Sequence, residues 1–174
     1  FEVMPLPYAL QLAPVYGLLA DELNNDNRPD VLTVGNTHSF HFEFGSITGL
    51  NETGLVNVNN RLEASSSPTG IAHKDAKSLV RLFDSKSSSF VYVVSNNDDS
   101  IGVFRGAAAL PHFSFRPDDD YALVYFSDGS TRKIEHYKGS GYLSQNSRTV
   151  PLPMGSTKIK ITNAKGVSRT IVAD

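Results

Sequence analysis

Apolar residues in this chain come in short runs separated by polar turns, and no stretch carries the three-to-four spacing of an amphipathic helix of ordinary length. Residues 15–20 form a first run of strand length. Residues 30–34 follow a polar loop and are rich in β-branched side chains, which favour a pleated, half-buried surface. Ser39 to Phe44 alternates, with Phe40, Phe42 and Phe44 on one face and Ser39, His41 and Glu43 on the other, as in a half-buried strand. The polar stretch from Gly45 to Gly70 predicts loops with one short strand at residues 54–58, and Ile71 to Ser78 has the length of a single helical turn. Residues 79–83, 90–94 and 101–104 are three more strands, and the proline-rich Phe1 to Pro14 reads as an extended lead-in. After residues 107–111 the texture changes. Residues 112–116, 121–126, 131–137, 157–161 and 167–172 predict short strands, with Ser127-Asp128-Gly129-Ser130 and Asn163-Ala164-Lys165-Gly166 as hairpin turns whose Gly supplies a positive φ.

Laid over each other without gaps, the two early apolar regions match at an offset of sixty. Leu19 falls on Leu79, Leu23 on Phe83, Val31 on Val91, Val34 on Val94 and Asn36 on Asn96. Such a period fits a repeated unit of three or four strands. The polar loop of the first unit is not repeated, because Glu22 falls on Leu82, Asp26 on Lys86 and Asp30 on Phe90.

That loop, residues 22–30, holds side-chain oxygens at its first, third, fifth and ninth positions: Glu22, Asn24, Asp26 and Asp30. The carbonyl of Arg28 takes the seventh. A hard cation such as Ca²⁺ takes six to eight oxygens, and alternate residues of a tight loop converge on one point. The pattern differs from the D-x-D-x-D-G loop in its leading Glu and in Asn27, which stands where Gly permits the sharp turn. Asn is the next best residue for a left-handed backbone. Calcium is the expected cofactor, and a solvated turn held by Asx-type hydrogen bonds is the competing reading.

Composition narrows the function class. A chain of 174 residues with a net charge of -2 lacks the basic surface that neutralises phosphates, so nucleic acid is not an expected partner. No apolar run reaches the roughly 18 residues that span a bilayer. The absence of Cys removes disulfides, thiolate zinc sites and thiol nucleophiles, and is in keeping with a bacterial exported protein. A start at Phe1, without an initiator Met, reads as a mature or excised piece of something longer.

Pro14-Val15-Tyr16-Gly17, the loop, and Pro29 to Asn36 together resemble an FG-GAP or VCBS repeat, the blade unit of integrin-type β-propellers. Ser95-Asn96-Asn97-Asp98 with Ile101 to Arg105 resembles the closing part of a later blade. Gly139-Ser140-Gly141-Tyr142-Leu143-Ser144-Gln145 is similar to the signature of the ASPIC/UnbV module that closes such proteins. The resemblance implies an all-β fold, with propeller-blade-like antiparallel sheets over residues 1–110 and a small β-sandwich over residues 111–174. It also implies calcium in the blade loop, a secreted, surface or periplasmic location, contacts with other blades of a parent chain, and a non-enzymatic role in binding a protein or glycan. Two units cannot close a propeller, which takes four to eight.

The competing expectation is a carbohydrate-active enzyme, for which Glu43 and Glu135 are available carboxylates, and a third is a scaffold piece docking to its parent chain. Other constellations fail. His38 and His41 point to opposite faces of a strand, and His41-Phe42-Glu43 lacks the Cys pair that deaminase chemistry needs. Ser144, Asp128 and His136 form a triad only on paper, Asp118-Asp119-Asp120 reads as a solvated turn, and Asn51-Glu52-Thr53 is a glycosylation sequon.

Overall fold

A computed structural model describes residues 3, 5–24, 26–38, 43, 45–49, 54–65, 74–108, 110–141 and 143–173. The alternating stretch at residues 39–44 lies almost wholly outside them, as does the sequon. Within the described residues the chain is all-β apart from one 3-10 turn at Tyr8–Gln11 in the expected extended lead-in. Its sheets are antiparallel, and none closes into a barrel.

The first sheet is a meander in the order β1 (Val15–Asp21), β2 (Asp30–Gly35), β3 (Gly54–Val58) and β4 (Arg61–Ser65). Only three of its strands are legible from apolar runs. β4 alternates too weakly to announce itself, and what makes it is the turn before it. Asn59 and Asn60 both adopt a left-handed backbone, φ 52° and 63°, which matches the right-handed twist of the flanking strands. The second sheet is β5 (Ala76–Asp84), β6 (Ser89–Asn96) and β7 (Gly102–Ala108). Ala76 to Ser78 belong to β5, so the helical turn expected at residues 71–78 gives way there to strand. Ser78 pairs with Ser95 across the sheet, and the ladder of β6 carries the chain past its weak propensity.

These two sheets stack like neighbouring blades. Strand parity sends Leu19, Leu32 and Val34 of the first against Ala76, Leu79, Tyr92 and Val94 of the second, forming one core. The first strands approach closely at Gly17, where a Cβ would stand 2.7 Å from Val34 Cγ2 and 2.9 Å from the Leu79 nitrogen. The offset-sixty partners Leu19 and Leu79, and Val34 and Val94, therefore share a core. The hairpin registers differ, since Leu19 pairs with Leu32 whereas Leu79 pairs with Val94. The shorter turn between β5 and β6 lets β5 run on to Asp84, where the first unit has already left its strand for the polar loop.

The C-terminal part is a small sandwich. Its larger sheet has the order β10 (Thr131–Glu135), β9 (Asp119–Phe126), β12 (Ser156–Asn163), β13 (Ser168–Val172), and β8 (His112–Ser114) pairs with β11 (Thr149–Pro151) as the smaller one. Phe113, Phe115 and Val150 fill the space against Ala122, Val124, Ile159 and Ile161. Gly129 and Gly166 take the positive φ the two hairpin turns require. One expectation is overturned here. Asp119 lies in β9 and is 5% exposed, rather than in a solvated turn. Arg169 forks onto both its oxygens, and the Arg116 amide donates to it at 2.6 Å. The Arg169 guanidinium holds this carboxyl below the usual carboxylate range.

Candidate functional site: the polar loop and the seam between the blade-like sheets

The loop joins β1 to β2 and turns on Asn27, whose φ of 63° is the left-handed conformation expected of it. Two of the expected ligands converge on the backbone amide of a third. Glu22 Oε1 and Asn24 Oδ1 accept from the Asp26 N–H at 3.1 and 3.0 Å, and Asp26 Oδ1 accepts from the Arg28 N–H at 2.9 Å. Asn24 Nδ2 donates to Asp26 Oδ2 at 3.1 Å. Asp30 stands apart from them and is fully buried. Its two oxygens accept from the Leu23 amide at 2.8 Å and from the Asn57 amide of β3 at 2.7 Å, so it ties the loop's end to its start and to the next strand.

In donor chemistry Glu22, Asn24 and Asp26 suit a hard cation, and the buried Asn27 Oδ1 has no hydrogen-bond partner. The arrangement would have to rotate the Asn24 amide away from Asp26 to take one. Among the described residues no group of three or more His, Asp or Glu side chains is placed to hold a metal ion. Asx-type bonds account for the loop's shape without one.

Directly beside this loop is a feature that the spacing of ligands did not reveal. Asp21, the last residue of β1, points into the seam between the two sheets. Its Oδ1 meets Arg81 Nη1 of β5 at 2.9 Å, and its Oδ2 accepts from the Tyr92 hydroxyl of β6 at 2.6 Å. The Glu22 amide donates to the same carboxylate at 2.9 Å, which couples the loop to the seam. All three side chains are nearly closed to solvent. Burial and the Asp21 carboxylate push the Tyr92 phenol well above its ordinary range, so it is a standing donor. Strand parity was the signal available in the sequence: Asp21 shares a face with Leu19, and Arg81 with Leu79. Arg81 also falls on Asp21 at the offset of sixty.

Arg81 is a junction in its backbone too. Its N–H donates to Asn146 Oδ1 and its carbonyl accepts from the Ser147 N–H, both at 2.8 Å. The chain just after Gly139 to Gln145 thus covers the free edge of β5. A cavity of about 310 Å³ lies where β1 and β5 meet that segment, lined by Tyr16, Gly17, Ser78, Leu79, Ser140 and Gly141 among others. His112 packs on Phe83 at 4.3 Å between ring centres, a second contact from sandwich to blade. The paper triad does not assemble: Asp128 accepts from the Ser130 amide, His136 stacks on Phe115, and Ser144 Oγ has no hydrogen-bond partner. Glu135 is engaged by Lys133 and Tyr137.

Compared with known proteins, the chain matches no family model and no curated protein.

Proposed function

We propose that this chain is a binding module of an exported bacterial FG-GAP repeat protein, two blades and a closing sandwich, stabilised by calcium held by Glu22, Asn24, Asp26 and the Arg28 carbonyl in a loop that Asp30 closes. The observation that carries the reading is the face-to-face stacking of two successive meanders with their first strands adjacent. The resemblance of the sequence motifs to that family adds to it. Calcium belongs to the proposal because the loop turns on a left-handed Asn27 and gathers three oxygen-bearing side chains. No helix among the described residues is long and apolar enough to cross a membrane.

The outer face of the second sheet favours docking to further blades of a parent chain as a second role. Val80, Val93 and Val103 lie in one row across β5, β6 and β7, and Leu82 and Val91 in the next. Val103 is 64% exposed and Leu82 41%. This face is the counterpart of the one covered by the first sheet.

Two measurements test the reading. A ligand that binds only the folded state raises the melting midpoint. Calcium at about ten times its Kd adds about 1.4 kcal/mol, or about 3–6 °C for a chain of this size. Asp26→Ala should abolish that shift, and a flat response at millimolar calcium sinks the metal assignment. A glycan array read with and without chelator tests the binding role, and silence on every sugar counts against it.

A further inference from the structure

The larger sheet of the sandwich buries one face and presents the other. On the presented face, Lys158 of β12 stands across from Tyr125 of β9, and Lys160 from Leu123. Lys133 of β10 flanks Leu123 from the opposite side, and Thr131 flanks Tyr125. Thr170 of β13 lies next to Lys160. Lys133, Lys158 and Lys160 are exposed. The Lys158 ammonium sits 4.3 Å from the centre of the Tyr125 ring and that of Lys133 4.8 Å from the Tyr121 ring. Lys133 is paired with Glu135. Lys158 and Lys160 have no carboxylate within ion-pair distance among the described residues. Residues 111–174 carry nine Lys and Arg against six Asp and Glu, whereas residues 1–110 carry seven against twelve. The positive charge of a net-negative chain is therefore gathered in the sandwich.

We infer that this sheet face is a binding site for an acidic polysaccharide, with Lys158 and Lys160 taking carboxylate or sulfate groups and the tyrosine and threonine hydroxyls between them hydrogen-bonding the sugar hydroxyls. Charge complementarity selects an anion. The sparseness of the lysines selects one whose charges are diluted by neutral hydroxyl-bearing units. Same-face residues of a strand repeat at about 6.8 Å, so the two unpaired ammoniums of Lys158 and Lys160 suit a polymer carrying one or two charges per disaccharide. A nucleic acid fits less well. The acidic first 110 residues repel a dense polyanion, and each tyrosine ring is engaged by a lysine instead of being left open for base stacking. The inference rests on the binding-module reading and narrows it to one face and one ligand class.

The test uses the whole chain against immobilised hyaluronan and chondroitin sulfate, with dextran and oligo-dT as comparators. Acidic glycans should retain the protein, less so as salt rises, and dextran should not. Loss of two exposed charge contacts of ordinary size corresponds to about a tenfold rise in Kd. Lys158→Ala/Lys160→Ala should show that rise, and Lys165→Ala, in the neighbouring turn, should not. Unchanged melting curves for both variants confirm that the fold is intact. Equal binding by the double variant and the parent overturns the site, and tighter binding to oligo-dT reassigns it to nucleic acid. If only neutral sugars bind, this face is excluded while the module still binds glycans. If no glycan binds, both readings fall.

Discussion

Asp21 sits at the end of an apolar strand, one residue before the loop, and its parity with Leu19 sends a carboxylate into an apolar seam. Burying a charge is costly unless it is paired and hydrogen-bonded, and Arg81, Tyr92 and the Glu22 amide meet those demands. Removing one partner leaves the other charged and dry. Arg81→Met should cost about 3–5 kcal/mol in urea unfolding, whereas Asp21→Leu combined with Arg81→Met should cost less than that single change. A double variant as unstable as the sum of its parts would show that the pair is not coupled. Asp119 gives a pH signature of the same kind. Its folded pKa is depressed by Arg169, so its contribution is full above the unfolded value near 3.8 and is lost as pH falls through the lower folded value. Arg169→Met should lower stability at pH 7 by about 2 kcal/mol and flatten the loss of stability below about pH 4.

Between residues and the whole molecule stand the hairpins. Apolar runs announced eleven of the thirteen described strands, because alternation and β-branched content mark a half-buried face whatever the neighbours are. β4 and β11 escaped. Arg61–Ser65 is held by its pairing to β3 across a two-residue turn, and Thr149–Pro151 by its pairing to β8, so neither carries an apolar signal of its own. The Asn59-Asn60 dipeptide was the legible clue to the first. Asn60→Ala should cost about 1–2 kcal/mol, the left-handed penalty of a side chain that cannot bond locally, and Asn60→Gly should be near neutral. Equal loss in both variants would show that the turn does not set the hairpin. Gly17→Ala probes contact between sheets instead. A methyl placed against the Leu79 backbone must push β1 off β5, at about 1–3 kcal/mol by denaturant titration.

At the scale of the molecule, two cores built from separate parts of the chain meet at a few points. Asn146 and Ser147 bond both backbone groups of Arg81 at the free edge of β5, and His112 packs on Phe83. The side chain of Asn146 thereby satisfies an amide of the blade that would otherwise be stranded, at about 1–3 kcal/mol. Asn146→Ala should split one calorimetric unfolding transition into two, the blades and the sandwich melting apart. A single transition lowered in temperature would mean that the two cores remain one cooperative unit.

The sequence by itself determined the all-β class, most of the strand positions, the left-handed turn at Asn27 and the clustering of Glu22, Asn24 and Asp26, since each follows from local periodicity or short-range hydrogen bonding. Tertiary structure alone decided which charged groups meet. Asp30 fell to the backbone of Leu23 and Asn57 and away from its companions in the loop. Asp119 was drawn out of an acidic run by Arg169, fifty residues later. Asp21 found Arg81 and Tyr92 across a seam. A buried carboxylate takes whichever donor lies nearest in space, and nearness in space between distant strands is set by how sheets stack, which no local pattern encodes.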